Sequence, residues 1–197
     1  MTDADQNVKR SFLFLLGSGR EGGNTETLAR RAAAQLPSGV RQTWLRLSDH
    51  PLPPFEDLRH SADRTFTPPT GNEKLLLDAT LDATDLVIAS PVYWYSVSAG
   101  TKLYLDHWVN WLSIPELRFR DRMRGSTLWA VAASSSDGRT VAEPLLGSLR
   151  ASAAYMGMRW GGELLGSGTE PGAVLEDAEA VAGAKSLFWP AAPGPRP

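Results

Sequence analysis

The sequence predicts an α/β domain built on an open, mostly parallel sheet of five strands. Three observations carry this. Apolar runs without polar alternation, as at 11–16 and 85–90, read as strands covered on both faces. Helical patterns alternate with the strands, which favours right-handed crossovers and parallel pairing. And the first run leads directly into Gly17-Ser18-Gly19-Arg20-Glu21-Gly22-Gly23-Asn24-Thr25, a Gly-rich turn ahead of a helix. A strand, a flexible turn and a helix start make an anion site, because the first helical N–H groups are free and sit at the positive end of the dipole.

The elements follow in order. Strand 11–16 is uniformly apolar, and helix 25–35 closes at Pro37-Ser38-Gly39. Segment 40–47 alternates, as a strand nearer the sheet edge would. Five prolines (51, 53, 54, 68, 69) make 50–72 a long loop, a feature often tied to function. Helix 73–83 precedes a buried strand at 85–90 that ends at Pro91. Helix 99–112, strand 126–133, helix 141–156, strand 158–165 and helix 175–188 complete the pattern. Residues 1–10 read as a flexible N-terminus, 11–189 as one domain and 190–197 as a Pro-rich disordered tail.

Composition limits the function classes. A chain of 197 residues, 42% hydrophobic, can build one full-sized core. A net charge of −2 provides no global field for nucleic acid. The lack of cysteine excludes disulfides, iron–sulfur ligation and thiol nucleophiles, and is compatible with a cytoplasmic protein. The polar N-terminus lacks the apolar core of a signal peptide, and no apolar run is long enough to span a bilayer.

The glycine loop matches a dinucleotide fingerprint literally, as Gly17-x-Gly19-x-x-Gly22. Its continuation Gly23-Asn24-Thr25 makes the turn longer and more polar than that fingerprint requires. Asn24 or Thr25 is the expected N-cap. Side-chain donors on Ser18, Asn24, Thr25 and Thr27, with the guanidinium of Arg20, suit a terminal phosphomonoester. No Lys-Ser/Thr follows, so the nucleotide P-loop pattern fails. An ordinary strand-to-helix turn is the plain alternative.

Ligands of open parallel sheets bind beyond the carboxyl ends of the strands. Three expected loops lie there: 18–25, 91–98 and 134–138. The second carries Tyr93-Trp94-Tyr95, and three consecutive rings cannot all face one core, so a flat ligand or a protein interface is expected. The third, Ser134-Ser135-Ser136-Asp137-Gly138, could bond the polar edge of a heterocycle or simply cap the next helix. Tyr104, Trp108, Trp111 and Leu112 form one helical stripe, read first as core and second as a dimer contact. His50, His60 and His107 lack metal spacing and read as surface or loop histidines. Arg118, Arg120, Arg122 and Arg124 alternate along an expected extended segment, either a solvated face or a docking strip for an anion such as a cofactor 2′-phosphate. Neither a nucleophile elbow nor a zinc-protease motif is present.

Two motifs together resemble a known family. Gly17-Ser18-x-Arg20-x-x-Gly23-Asn24-Thr25-x-x-Leu28-Ala29 is similar to the flavin phosphate loop of the NADPH-dependent FMN reductases. Ser90-Pro91-Val92-Tyr93-Trp94-Tyr95-Ser96-Val97-Ser98-Ala99-x-x-Lys102-x-x-x-Asp106 resembles that family's second signature. The resemblance implies a three-layer flavodoxin-like fold with strand order 2-1-3-4-5. It implies FMN as cofactor and NAD(P)H as transient hydride donor. Ser18, Arg20, Gly23, Asn24 and Thr25 would hold the FMN phosphate. Pro91, Val92, Tyr93, Trp94 and Tyr95 would line the isoalloxazine, and Ser134, Ser135 and Gly138 would approach its pyrimidine edge. No metal is implied, and no catalytic side chain is required, because the flavin N5 carries the chemistry. A homodimer or homotetramer through helix 99–112 is expected. The acceptor would be a quinone, a nitro or azo compound, free flavin or oxygen. The alternatives are a flavodoxin-type electron carrier serving a protein partner and a non-redox binding protein on the same fold.

Overall fold

A computed structural model describes residues 10–59, 66–135 and 138–189 of the chain. The expectations for 1–9 and 190–197 lie outside the described residues. Arg10, by contrast, is anchored: its guanidinium meets Asp85 at 2.6 Å and donates to the Phe188 carbonyl at 3.0 Å.

The strands are β1 (Ser11–Leu16), β2 (Arg41–Arg46), β3 (Asp85–Pro91), β4 (Thr127–Ser134) and β5 (Arg159–Ser167). They form one parallel sheet in the order β2-β1-β3-β4-β5. This is the flavodoxin-like order. Every residue of β1 and β3 is buried, as their uninterrupted apolar sequences require.

Alternation along β1 divides the core into two layers. Leu13 and Leu15 face one side with Leu86, Ile88, Leu128 and Ala130. Phe12, Phe14 and Leu16 face the other with Val87, Ala89, Trp129 and Val131. Helices α1 (Asn24–Ala33) and α6 (Ala178–Ala184) cover the second layer. Helices α2 (Gly71–Asp82), α3 (Ala99–Leu112), α4 (Phe119–Met123) and α5 (Gly138–Met156) supply the first. Tyr104, Trp108 and Trp111 are buried there, so the rings of the α3 stripe are core, the first of the two readings. No helix among the described residues is long and apolar enough to cross a membrane.

Three expectations are corrected. Segment 118–124 is not extended. A 3-10 turn at Pro115–Leu117 and a left-handed Arg118 (φ 46°) lead into α4, where Phe119 and Met123, four apart, both reach the core. Its arginines therefore fan out, and α4 is a sixth helix. The final helix is shorter than 175–188. Asp177 accepts from Ala180 N–H and Ser167 N–H, both at 2.9 Å, so it starts α6 afresh. His107 is buried, with its ring nitrogens 3.0 Å from Glu73 Oε1 and the Pro53 carbonyl. It ties the Pro-rich segment 51–59 to α2 and α3.

Candidate active site at the carboxyl ends of the strands

Strand β1 has β2 on one side and β3 on the other, so the connections leaving it diverge and open a crevice at its carboxyl end. Gly17 sits at that point. Its N–H bonds the Ala89 carbonyl at 2.8 Å, and a Cβ there would fall 2.1 Å from Thr101 Oγ1. Only glycine lets β1 end this close to the start of α3.

A cavity of about 270 Å3 lies above the strand ends. Ser18, Arg20, Gly23, Asn24 and Thr25 line one side of it. Pro91, Val92 and Tyr93 line a second side, and Ala133, Ser134 and Ser135 a third. The three loops singled out in the sequence thus meet at one place. Gly168 and Thr169, beyond β5, also line it; no local motif marks them.

The glycine loop is braced from within. The Glu26 carboxylate is buried and accepts from Gly22 N–H at 3.0 Å. It pairs with Arg46 at 2.6 Å and with Arg30 at 2.7 Å. Arg46 also donates to the carbonyls of Ser18 and Arg20, both at 3.0 Å. Burial alone would push the Glu26 carboxyl up. The bonds from Arg46, Arg30 and Gly22 outweigh that and hold it below its ordinary value. Its charge is therefore neutralised locally and does not face the cavity as an unpaired anion. Sequence reasoning missed this pair, although an acidic residue in a first helical turn and an arginine ending the neighbouring strand were both visible.

The cap of α1 is Gly23, not Asn24 or Thr25. Glycine offers no side-chain acceptor, so the N–H groups of the first turn stay open toward the cavity. Asn24 uses its amide elsewhere. It donates to the Gly168 carbonyl at 2.8 Å and accepts from Gly172 N–H at 2.9 Å. Thr27 is likewise turned to the Gly22 carbonyl at 3.3 Å. Of the expected side-chain donors, Ser18, Arg20 and Thr25 remain. The Arg20 guanidinium has no partner among the described residues.

The aromatic loop is a tight hairpin. Tyr93 N–H bonds Ser96 O and Ser96 N–H bonds Tyr93 O, both at 3.0 Å. The two central residues, Trp94 (φ 49°) and Tyr95 (φ 63°), are both left-handed. That is the geometry of a type I′ turn, which normally takes Asn-Gly. Tyr93 lines the cavity, but Trp94 and Tyr95 do not, and Trp94 is 94% exposed. The turn reverses the chain after Tyr93 and carries the next two rings outward. Gly138 opens α5, and 136–137 lie outside the described residues.

A braced loop, an open helix N-terminus and an uncommitted arginine fit a phosphate ester. The model of the NADPH-dependent FMN reductase family matches residues 11–162. The chain belongs to this family. It is an enzyme whose cofactor is FMN and whose hydride donor is NAD(P)H. Over 173 residues, 87% of this chain and 93% of the other, it is 31% identical to YwqN of Bacillus subtilis (strain 168), whose proposed role is that of an NAD(P)H-dependent FMN-containing oxidoreductase. The structure of the Trp repressor binding protein from Bacillus subtilis superposes with a TM-score of 0.72 at 24% identity, covering 92% of this chain and 99% of that one. RosB, solved with bound 8-demethyl-8-formylriboflavin-5′-phosphate, superposes with a TM-score of 0.68 at 16% identity, covering 91% of this chain and 76% of that one. The five-stranded parallel sheet in the order 2-1-3-4-5 is the fold that the family resemblance implied.

Proposed function

We propose that the cavity between the loops after β1, β3 and β4 holds FMN, and that the enzyme passes electrons from NAD(P)H to a small organic acceptor. The observation that carries this is the open first turn of α1 beside the uncommitted Arg20. Two negative charges on a phosphate monoester match those donors better than a bridging pyrophosphate does. Ser18 and Thr25 add hydroxyls, and the Glu26–Arg46 pair keeps the loop in shape before the ligand arrives. Pro91, Val92 and Tyr93 offer an apolar wall for the flavin ring, with Ser134 and Ser135 near its polar edge. FMN, when bound, supplies the hydride acceptor and the electron donor. The chain's residues bind it, orient it and exclude water from one side.

The acceptor would be a quinone, a nitro or azo compound, free flavin or oxygen, reaching the flavin beside Tyr93 on the hairpin side of the cavity. A homodimer or homotetramer, through the outer face of α3, would cover Trp94 and Tyr95 together with the half-buried Leu103, Leu105 and Val109. The absence of cysteine supports a cytoplasmic setting.

The test is direct. Purified protein is titrated with FMN, then mixed anaerobically with NADPH or NADH, and turnover is followed with a naphthoquinone, a nitroaromatic, an azo dye and free FMN. Tight FMN binding, bleaching by a nicotinamide and turnover with one acceptor class are expected. Protein that ignores FMN, or holo-protein that NAD(P)H does not bleach, rules the reading out.

A further inference from the structure

A second recess, of about 770 Å3, opens at the opposite end of the sheet, among the amino ends of β3, β4 and β5. Its construction begins with a bulge. Leu128 pairs with Trp160 but Trp129 pairs with Gly162, so Gly161 is the extra residue. A Cβ on Gly161 would fall 2.4 Å from the Trp129 indole, which therefore lies flat against bare backbone. Trp129 donates to Asp85 Oδ1 at 2.9 Å, and Asp85 also takes the bidentate Arg10 fork at 2.6 and 3.1 Å. The floor is thus rigid, and its carboxylate is fully engaged.

The walls carry three arginines against one exposed carboxylate, Asp82. Arg122 and Arg124 come from the end of α4, and Arg159 from the start of β5. Two backbone bonds hold these segments side by side, Gly125 N–H to Gly157 O at 3.0 Å and Arg159 N–H to Ser126 O at 2.8 Å. None of the three arginines forms an ion pair with a carboxylate among the described residues. Arg159 has one long side-chain bond, from Nε to Thr127 Oγ1 at 3.4 Å. The half-buried indole of Trp160 and the apolar Leu81 and Ala83 complete the lining.

We propose that this recess is a second ligand site, for a planar aromatic anion: a ring system bearing phosphate, carboxylate or sulfonate groups. Three exposed guanidinium forks without carboxylate partners border one hollow, and such forks both grip oxyanions and stack on flat rings. The volume suits a whole small molecule and exceeds what a bare ion would fill. An inorganic anion would also leave Trp160 and the apolar lining uncovered. Six strand steps, from Asp85 to Pro91, put the recess about 20 Å from the glycine-loop cavity at ~3.3 Å per step. A ligand here is not in contact with a flavin held at the carboxyl end, so the site stands independently of that reading.

The experiment uses the full chain loaded with FMN and titrated calorimetrically with ADP, naphthalene-2-sulfonate and inorganic pyrophosphate, at low and at physiological salt. ADP and naphthalene-2-sulfonate are expected to bind once per chain and to weaken with salt. Arg122→Ala/Arg124→Ala should reduce both affinities about tenfold, and Arg159→Ala should do so separately, with circular dichroism and FMN affinity unchanged. Three results overturn the proposal: no binding of either aromatic ligand, binding that survives both variants, or pyrophosphate binding as tightly as ADP.

Discussion

The loop after β1 and the loop after β3 border the same cavity, but they are built in opposite ways. The first is held before any ligand arrives. Arg46 bonds two of its carbonyls, Glu26 bonds one of its N–H groups, and the two pair with each other at 2.6 Å. The second has its stems tied, Val92 N–H to Ala133 O at 3.1 Å and Ser98 N–H to Ser90 Oγ at 2.9 Å, but its tip is closed by one pair of backbone bonds at 3.0 Å around two aromatic residues in left-handed backbone. Such residues cost about 1–3 kcal/mol each when they are not glycine. Trp94 and Tyr95 are also left in solvent, 94% and 57% exposed. The contrast separates two tasks. In the proposed reading, an anchor for a fixed charge gains from rigidity, while exposed rings that would meet a ligand or a partner carry strain in the free chain.

The largest effect should come from the brace. Glu26→Gln leaves Arg46, only 12% exposed, with the more distant Asp49 at 3.8 Å as its remaining carboxylate, and should cost roughly 3–5 kcal/mol in urea unfolding. FMN affinity should fall about a hundredfold, or ~2.7 kcal/mol. The double variant Glu26→Gln/Arg46→Met should recover stability without recovering FMN affinity. Equal stability of wild type and Glu26→Gln would show that the loop is not held this way.

Arg20→Ala comes next and sharpens the contrast, because Arg20 supports nothing in the free chain. Unfolding stability should stay within about 0.5 kcal/mol. FMN binding should weaken by roughly 1.5–3 kcal/mol, the range for a hydrogen bond to a charged group. Unchanged affinity by fluorescence titration would remove Arg20 from the phosphate contacts.

The hairpin should respond with the opposite sign. Trp94→Asn/Tyr95→Gly installs the residues a type I′ turn favours and should raise thermal stability by about 1–2 kcal/mol. The same variant should reduce self-association or turnover. A melting temperature that does not rise would mean the turn is unstrained.

The smallest effect is in acid. The folded Glu26 carboxyl titrates below its ordinary value of 4.5. Its contribution is therefore complete above that value and is lost as pH falls through the lower folded value. The stability gap between wild type and Glu26→Gln should be constant near neutrality and narrow as pH drops below about 4.5, by an amount set by the depression of the folded titration. A gap that does not narrow in strong acid would contradict the depressed titration.

Much of this was legible in the chain itself. Unbroken apolar runs made β1 and β3 interior strands, and the spacing of Tyr104, Trp108 and Trp111 placed α3 with its boundaries intact. The glycine loop, the aromatic loop and the serines after β4 were each visible as departures from ordinary turns. Local periodicity also misled, at α4. Arginines at every second position imitate a strand, whereas the apolar pair Phe119 and Met123, four apart, is what the core takes up.

What the sequence determined by itself was the order of elements, their buried faces and the residue types at the ends of the strands. These follow from backbone geometry, which repeats over two residues in a strand and 3.6 in a helix. Only the tertiary structure decided the partners. Glu26 meets Arg46 because β2 lies beside β1, and Asn24 reaches Gly168 because α1 packs near the end of β5. The arginines of α4 face Arg159 because β4 and β5 are neighbours. Contacts between residues 20 to 144 positions apart leave no periodic trace in the chain, because the sheet order, and not the spacing, brings them together.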